Sequence, residues 1–325
     1  MDTILKLVAE VQDQSFPAGH ELLKEGESSD LLYILSEGEV EIVKGGERIC
    51  SVRDAGALLG EIGALMGLPH MATARAFTPV RAKVVSDVKS FLRKEPEVCR
   101  EVAETLAWRL VETSNFLADQ RQEFMRRSKA VNVSAAEDAS GLERFTEYWH
   151  QSWKLFERQH YEAIGLENVQ LKYEQFLPGE TILRQGVKDE KLLILRTGSV
   201  EVLKNETPLF MVWDRGVLFG EISALLGTGH TASVRALEPC TFQVVESAEK
   251  LFHAHVDVAW FVARLLAKRL LDANRYFVGL KQQFHRMALD AKSDQATQLL
   301  TFLEHAAKEL QLRHHIRPRP GEHLS

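Results

Sequence analysis

Leu59-Gly60-Glu61-Ile62-Gly63-Ala64-Leu65-Met66-Gly67-Leu68-Pro69-His70-Met71-Ala72-Thr73 returns 160 residues later as Phe219-Gly220-Glu221-Ile222-Ser223-Ala224-Leu225-Leu226-Gly227-Thr228-Gly229-His230-Thr231-Ala232-Ser233. In both stretches a glycine and a carboxylate precede a short apolar segment, and a second glycine closes it. Such a segment reads as one or two helical turns whose first N–H groups and positive dipole end suit an anion. Glu61 and Glu221 then stand where a carboxylate can accept hydrogen bonds from a diol. His70 and His230, ten residues beyond the first glycine, add a group able to carry positive charge. Together these features suit a sugar phosphate.

The match extends outward at the same offset and without insertion, from Phe16/Phe176 to Phe124/Phe284. Gly19/Gly179, Gly26/Gly186, Gly38/Gly198, Gly56/Gly216, Arg75/Arg235, Pro79/Pro239 and Arg109/Arg269 all fall opposite each other, so the chain holds two copies of one unit. The first half of each copy reads as short strands. Leu31–Leu35 and Leu192–Leu195 are apolar runs closed by Glu37-Gly38 and Thr197-Gly198, and Glu39-Val40-Glu41-Ile42 alternates with period two. Lys44-Gly45-Gly46-Glu47 predicts a hairpin turn, and Val80–Val85 and Thr241–Val245 a further strand each. The second half of each copy is helical: Val98, Val102, Leu106, Leu110 and Phe116 recur mostly at three- or four-residue spacing, as do Phe261, Leu265, Leu266, Leu270 and Phe277. The expected fold class is α+β: two tandem antiparallel β-rolls with flanking helices, at 1–131 and 171–290. A helical linker at 132–170 joins them, and a helix and tail at 291–325 follow. Within the linker, Leu142, Phe145, Trp149, Trp153 and Phe156 predict an amphipathic helix that packs between the copies.

Composition narrows the function classes. With 325 residues, 45% hydrophobic and 26% charged, the chain has the profile of a globular protein of two ordinary domains. Its net charge of −6 gives no overall positive field for nucleic acid or anionic lipid. The longest apolar stretch, 256–271, is broken by Asp257, Arg264, Lys268 and Arg269, so no membrane insertion is expected. The amino terminus lacks the features of a secretory signal, and a cytoplasmic location is expected. Cys50, Cys99 and Cys240 are too few and too scattered for a disulfide framework or a zinc site and are read as buried free thiols. His253-x-His255 has the spacing of a cupin metal pair, but the first copy has Arg93 and Glu95 there and no third histidine follows, so no metal is expected. Phosphate-loop, zinc-protease, nucleophile-elbow and kinase motifs are missing, and an enzyme is not expected. Too little chain follows Phe284 for a winged helix-turn-helix, which argues against nucleic acid as a partner.

The repeated motif, with the glycine-marked roll before it and the long helix after it, resembles the cyclic nucleotide-binding domain of catabolite activator protein and of the regulatory subunit of cyclic AMP-dependent protein kinase. The resemblance covers nearly all of both copies. It implies that Gly60, Glu61, Ile62 and Gly63, with Gly220, Glu221, Ile222 and Ser223, hold the ligand: Glu61 and Glu221 grip the ribose 2′-hydroxyl, and the N–H groups near Ile62-Gly63 and Ile222-Ser223 bind the phosphate. His70-Met71-Ala72-Thr73 and His230-Thr231-Ala232-Ser233 complete the two sites. In the family an arginine stands where His70 and His230 stand here. Histidine lacks arginine's permanent charge and two-pronged fork, and loss of one charge-assisted bond of roughly 1.5–3 kcal/mol corresponds to about one to two decades of affinity. A threonine at the position of Thr231 favours cyclic GMP in the family, whereas the first copy has Met71.

The resemblance implies a bacterial-type, non-enzymatic receptor for a cyclic nucleotide (cyclic AMP, cyclic GMP or a cyclic dinucleotide) that relays binding to an unidentified effector protein. It could pair with a second copy through its helices. The alternative is a ligand-independent scaffold with vestigial pockets. Replacing Glu61 or Glu221 by alanine is expected to lower affinity with little loss of stability.

Overall fold

The computed structural model describes residues 3–131, 172–213 and 215–291. The chain divides into two compact units, Met1–Val131 with Ala263–Ser325, and Asn132–Val262. Each unit holds one roll made of two four-stranded antiparallel sheets.

In the first roll, β1 (Asp13–Phe16), β8 (Val80–Val85), β3 (Leu32–Glu37) and β6 (Leu58–Leu59) pair in that order. The second sheet runs β2 (Glu21–Leu23), β7 (Thr73–Ala76), β4 (Val40–Lys44) and β5 (Glu47–Val52). Alternation decides which side chains face inward. Ala74 and Ala76 of β7 enter the core while Arg75 turns away, and Leu22, Leu23, Tyr33, Leu35, Val40, Val52 and Leu59 fill the same cluster. The predicted hairpin forms where the two glycines stand: Gly45 and Gly46 have φ of 58° and 84°, and Lys44 pairs with Glu47. The second roll repeats this order. One sheet is β14 (Leu218–Phe219), β11 (Leu192–Thr197), β16 (Cys240–Val245) and β9 (Lys172–Phe176). The other is β10 (Thr181–Leu183), β15 (Ser233–Ala236), β12 (Val200–Lys204) and β13 (Thr207–Val212).

A short N-terminal helix, α1 (Thr3–Leu7), opens the first unit. Between β6 and β7 lies α2 (Glu61–Met66), and α3 (Val88–Lys94) and α4 (Pro96–Val131) follow β8. The equivalents in the second copy are α5 (Glu221–Leu226), between β14 and β15, and α6 (Ala248–Ala254) and α7 (Val256–Ala291), after β16. Asp87 caps α3 by accepting from the Ser90 N–H, and Ser247 caps α6 by accepting from Lys250. The apolar stripe of α4 is buried as its spacing predicts, through Val98, Val102, Leu106, Leu110 and Phe116, and α1 and α3 pack on this helix. Among the described residues no helix is long and apolar enough to cross a membrane, and no group of three His, Cys, Asp or Glu side chains could hold a metal ion. Cys50, Cys99 and Cys240 are free and buried, as expected. The predicted linker helix with Trp149 and Trp153 and the C-terminal segment at 292–325 lie outside the described residues.

Candidate functional site

The site in each roll is assembled at the β6–α2 and β14–α5 junctions. Gly60 has φ of 90°, and a Cβ there would meet the Leu31 carbonyl at 2.7 Å; Gly220 has φ of 89°. Glycine is therefore required by the positive φ and by the approach of the neighbouring loop. The turn delivers Glu61 and Glu221 as the first residues of α2 and α5, both buried, with neither helix start capped by a side chain. Ile62 and Ile222 are half-buried on the same first turn, and Gly63 and Ser223 are buried.

Glu61 is not an open carboxylate. Arg109 of α4 donates from Nη1 to Glu61 Oε1 at 2.5 Å and from Nη2 to the Leu58 carbonyl at 3.3 Å, and both side chains are buried. Arg109 was legible in the sequence only as one member of the Arg109/Arg269 match. An arginine preserved opposite itself inside an otherwise apolar helix stripe is the signal that could have marked it. The expectation that Glu61→Ala costs little stability is corrected by this pair, because the substitution would leave a buried guanidinium without its carboxylate.

His70 and His230 lie beside the same turns, only 7% and 5% exposed. In the first roll, His70 Nε2 is hydrogen-bonded to Ser29 Oγ at 2.7 Å. The ring lies directly over Gly63, where an added Cβ would come within 2.8 Å of Nδ1. Burial pushes the His70 imidazole below its ordinary value of 6.5, opposed in part by the Glu61 and Glu27 carboxylates. In the second roll, Ser223 occupies the position of Gly63, and its Oγ bonds His230 Nδ1 at 2.7 Å and donates to the Gly220 carbonyl at 2.9 Å. Asp189 takes the place of Ser29. Its Oδ2 lies 3.2 Å from His230 Nε2 without the alignment of a hydrogen bond. The imidazole is thus hydrogen-bonded from position 29 in the first roll and from position 223 in the second. Neither Ser29 nor Asp189 was singled out by sequence reasoning, since a serine beside Ser28 and an aspartate beside Glu190 read as ordinary loop residues.

The histidine backbone is held as well. The Gly26 N–H donates to the His70 carbonyl and the His70 N–H to the Glu27 carbonyl, both at 2.9 Å; Gly186, His230 and Val187 repeat the pair at 2.8 and 2.9 Å. Met71 and Thr231 are half-buried in the bends that follow. Thr73 Oγ1 and Ser233 Oγ accept from the N–H groups of Glu25 and Gln185 at 3.0 and 2.9 Å, which ties the start of β7 and of β15 to the loop after β2 and β10. Arg75 and Arg235 are paired with Glu41 and Glu201 at 2.7 and 2.6 Å, opposite Ala74, Ala76, Val234 and Ala236 in the strand alternation.

The family model for the cyclic nucleotide-binding domain matches residues 13–93 and 173–251. Among curated proteins, the chain is similar to the CRP-like cAMP-activated global transcriptional regulator of Mycobacterium tuberculosis, with 32% identity over 122 residues, covering 36% of this chain and 54% of that protein. It is also similar to the cGMP-dependent protein kinase egl-4 of Caenorhabditis elegans, with 22% identity over 245 residues, covering 73% of this chain and 26% of that protein. The chain thus spans about half the length of the first of these relatives and about a quarter of the second. Among solved structures, the regulatory subunit of a cAMP-independent protein kinase A from Trypanosoma brucei aligns with a TM-score of 0.27 and 18% identity, covering 83% of this chain and 82% of that one. Two matched segments, each holding a complete roll with its own glycine-carboxylate turn, make this chain a member of the cyclic nucleotide-binding domain family that carries two such domains in tandem.

Proposed function

We propose that the protein is a non-enzymatic, cytoplasmic regulatory receptor whose two domains, at 1–131 and 171–290, bind a cyclic mono- or dinucleotide and relay the change to a partner protein. Glu61 and Glu221 accept the ribose hydroxyl, the turns at Ile62-Gly63 and Ile222-Ser223 meet the phosphate, and His70 and His230 stand beside them. Thr73, Met71, Thr231 and Ser233 line the strand side of the two pockets. The observation that carries the relay is the buried Arg109–Glu61 pair, which joins the ribose-gripping carboxylate to the long helix α4. A hydroxyl arriving at Glu61 competes with or tightens the Arg109 bonds, so occupancy changes how α4 is held, and α4 is the natural element to present that change to a partner. Calorimetric titration of the full chain with cyclic AMP, cyclic GMP and cyclic dinucleotides tests the reading, which expects saturable binding weakened by Glu61→Gln and Glu221→Gln.

One observation favours the scaffold alternative: both imidazoles are already engaged by protein groups. The absence of binding to any of these nucleotides, in the wild type and in His70→Arg and His230→Arg, would establish it.

A further inference from the structure

The imidazole of His70 occupies the space over the turn that the proposed function assigns to the phosphate. Its Nδ1 and Cε1 lie 2.8 and 3.0 Å from where a Cβ on Gly63 would stand, so ring and turn are in contact with no room for an anion between them. The ring is only 7% exposed and is fixed at its far end by Ser29 Oγ, 2.7 Å from Nε2. The backbone of residue 70 cannot move away with it, because its N–H and carbonyl are both bonded to the 26–27 loop. A phosphate that approaches the turn on the Gly63 side meets the ring, which gives way by rotating about its own side-chain bonds and leaving Ser29.

From this we infer that the Ser29–His70 hydrogen bond is a latch over the phosphate turn of the first domain, and that Ser29 sets the ligand affinity of that domain without touching the ligand. The inference rests on the cyclic nucleotide reading above and adds an affinity-determining residue to it. The second domain supports the same arrangement by substitution. Where residue 29 becomes Asp189 and loses the aligned hydrogen bond, the hydroxyl reappears at Ser223, again 2.7 Å from an imidazole nitrogen. The two latches differ in what opening releases. In the second domain the hydroxyl sits on the turn itself, where it still donates to the Gly220 carbonyl. In the first domain the freed hydroxyl belongs to the loop before β3. Removing it therefore abolishes the cost of opening and subtracts nothing from the bound state.

The test is titration of the full chain carrying Glu221→Gln, so that the first domain is read alone, with cyclic AMP and cyclic GMP. Ser29→Ala should bind roughly three- to tenfold more tightly than its Ser29 parent, as expected for sparing one net hydrogen bond. Ser29→Thr, which keeps the hydroxyl, should bind like the parent. A Ser29→Ala affinity equal to or weaker than the parent, with binding present, overturns the latch and leaves the nucleotide reading standing. Binding that appears only in Ser29→Ala supports the latch. No binding in the parent, in Ser29→Ala or in a His70→Arg variant overturns the nucleotide reading, and the latch with it.

Discussion

Arg109 and Glu61, 48 residues apart in sequence, meet at 2.5 Å as a buried ion pair between the long helix α4 and the first residue of α2. Two charges withdrawn from water are stable only as a set, and removal of either partner leaves the other uncompensated. Arg109→Met and Glu61→Ala should therefore each lose about 3–5 kcal/mol of unfolding free energy in urea titrations of the full chain. The double variant should recover most of that loss, with a coupling above about 1 kcal/mol. Additive losses would mean that the pair does not hold α4 to the turn.

The paired arginines on the outer sheet face give a contrasting expectation. Arg75 and Arg235 answer Glu41 and Glu201 across neighbouring strands, with arginine side chains 41% and 37% exposed. Partly solvated pairs of this kind contribute about 0.2–1 kcal/mol. Arg75→Met and Arg235→Met should leave cyclic nucleotide affinity within about twofold and cost at most about 1 kcal/mol in the same denaturation experiment. A tenfold loss of affinity would show that one of them reaches the ligand and stands in for the missing arginine.

How far the sequence reveals this site depends on which atoms carry the information. Backbone demands repeat visibly: Gly19 and Gly179 have φ of 85° and 86°, and Gly38 and Gly198 have 98° and 92°, so a glycine is required at the same places in both copies and the period stands out. The strand alternation and the α4 stripe are legible for a similar reason, since burial acts on every second residue or every three to four. Side-chain partnerships carry no such period. Ser29 answers His70 from 41 residues away, and the second domain fills the same need from position 223, so no fixed spacing betrays the bond. The Arg109–Glu61 pair joins separate helices and becomes legible only when the fold brings them together.

The three cysteines, two in the rolls and Cys99 in α4, test how completely the fold buries its thiols. Burial pushes Cys50 up to about 11 and Cys99 up to about 12, and raises Cys240, whose Sγ also donates to the Ser199 and Glu238 carbonyls at 3.1 and 3.0 Å. The thiolate is the reactive form, and at pH 8 almost none is present at such sites. Native protein should give essentially no fast reaction with an aromatic disulfide reagent at pH 8, and three thiols per chain after unfolding in guanidinium. One thiol titrating within minutes in the native state would contradict the burial of that cysteine.

The last expectation concerns pH and His70. Its imidazole is pushed below 6.5 chiefly by burial, with Glu61 and Glu27 opposing, so the native state favours the neutral ring more than the unfolded chain does. Between the native value and 6.5 the unfolded chain holds more protons, and stability rises with pH across that interval. The contribution is fully present above about 6.5, is lost as pH falls through the native value, and then levels off. Urea midpoints measured from pH 8 to pH 5 should fall more steeply for the wild type than for His70→Gln, the two curves separating only below about 6.5. Binding should run the other way. A cyclic phosphate brought against the released ring favours the imidazolium, so nucleotide affinity at the first domain should increase as pH falls over the same range and become flat in His70→Gln. Parallel stability curves would place the titrating group elsewhere, and pH-independent binding in the wild type would show that the released imidazole does not face the phosphate.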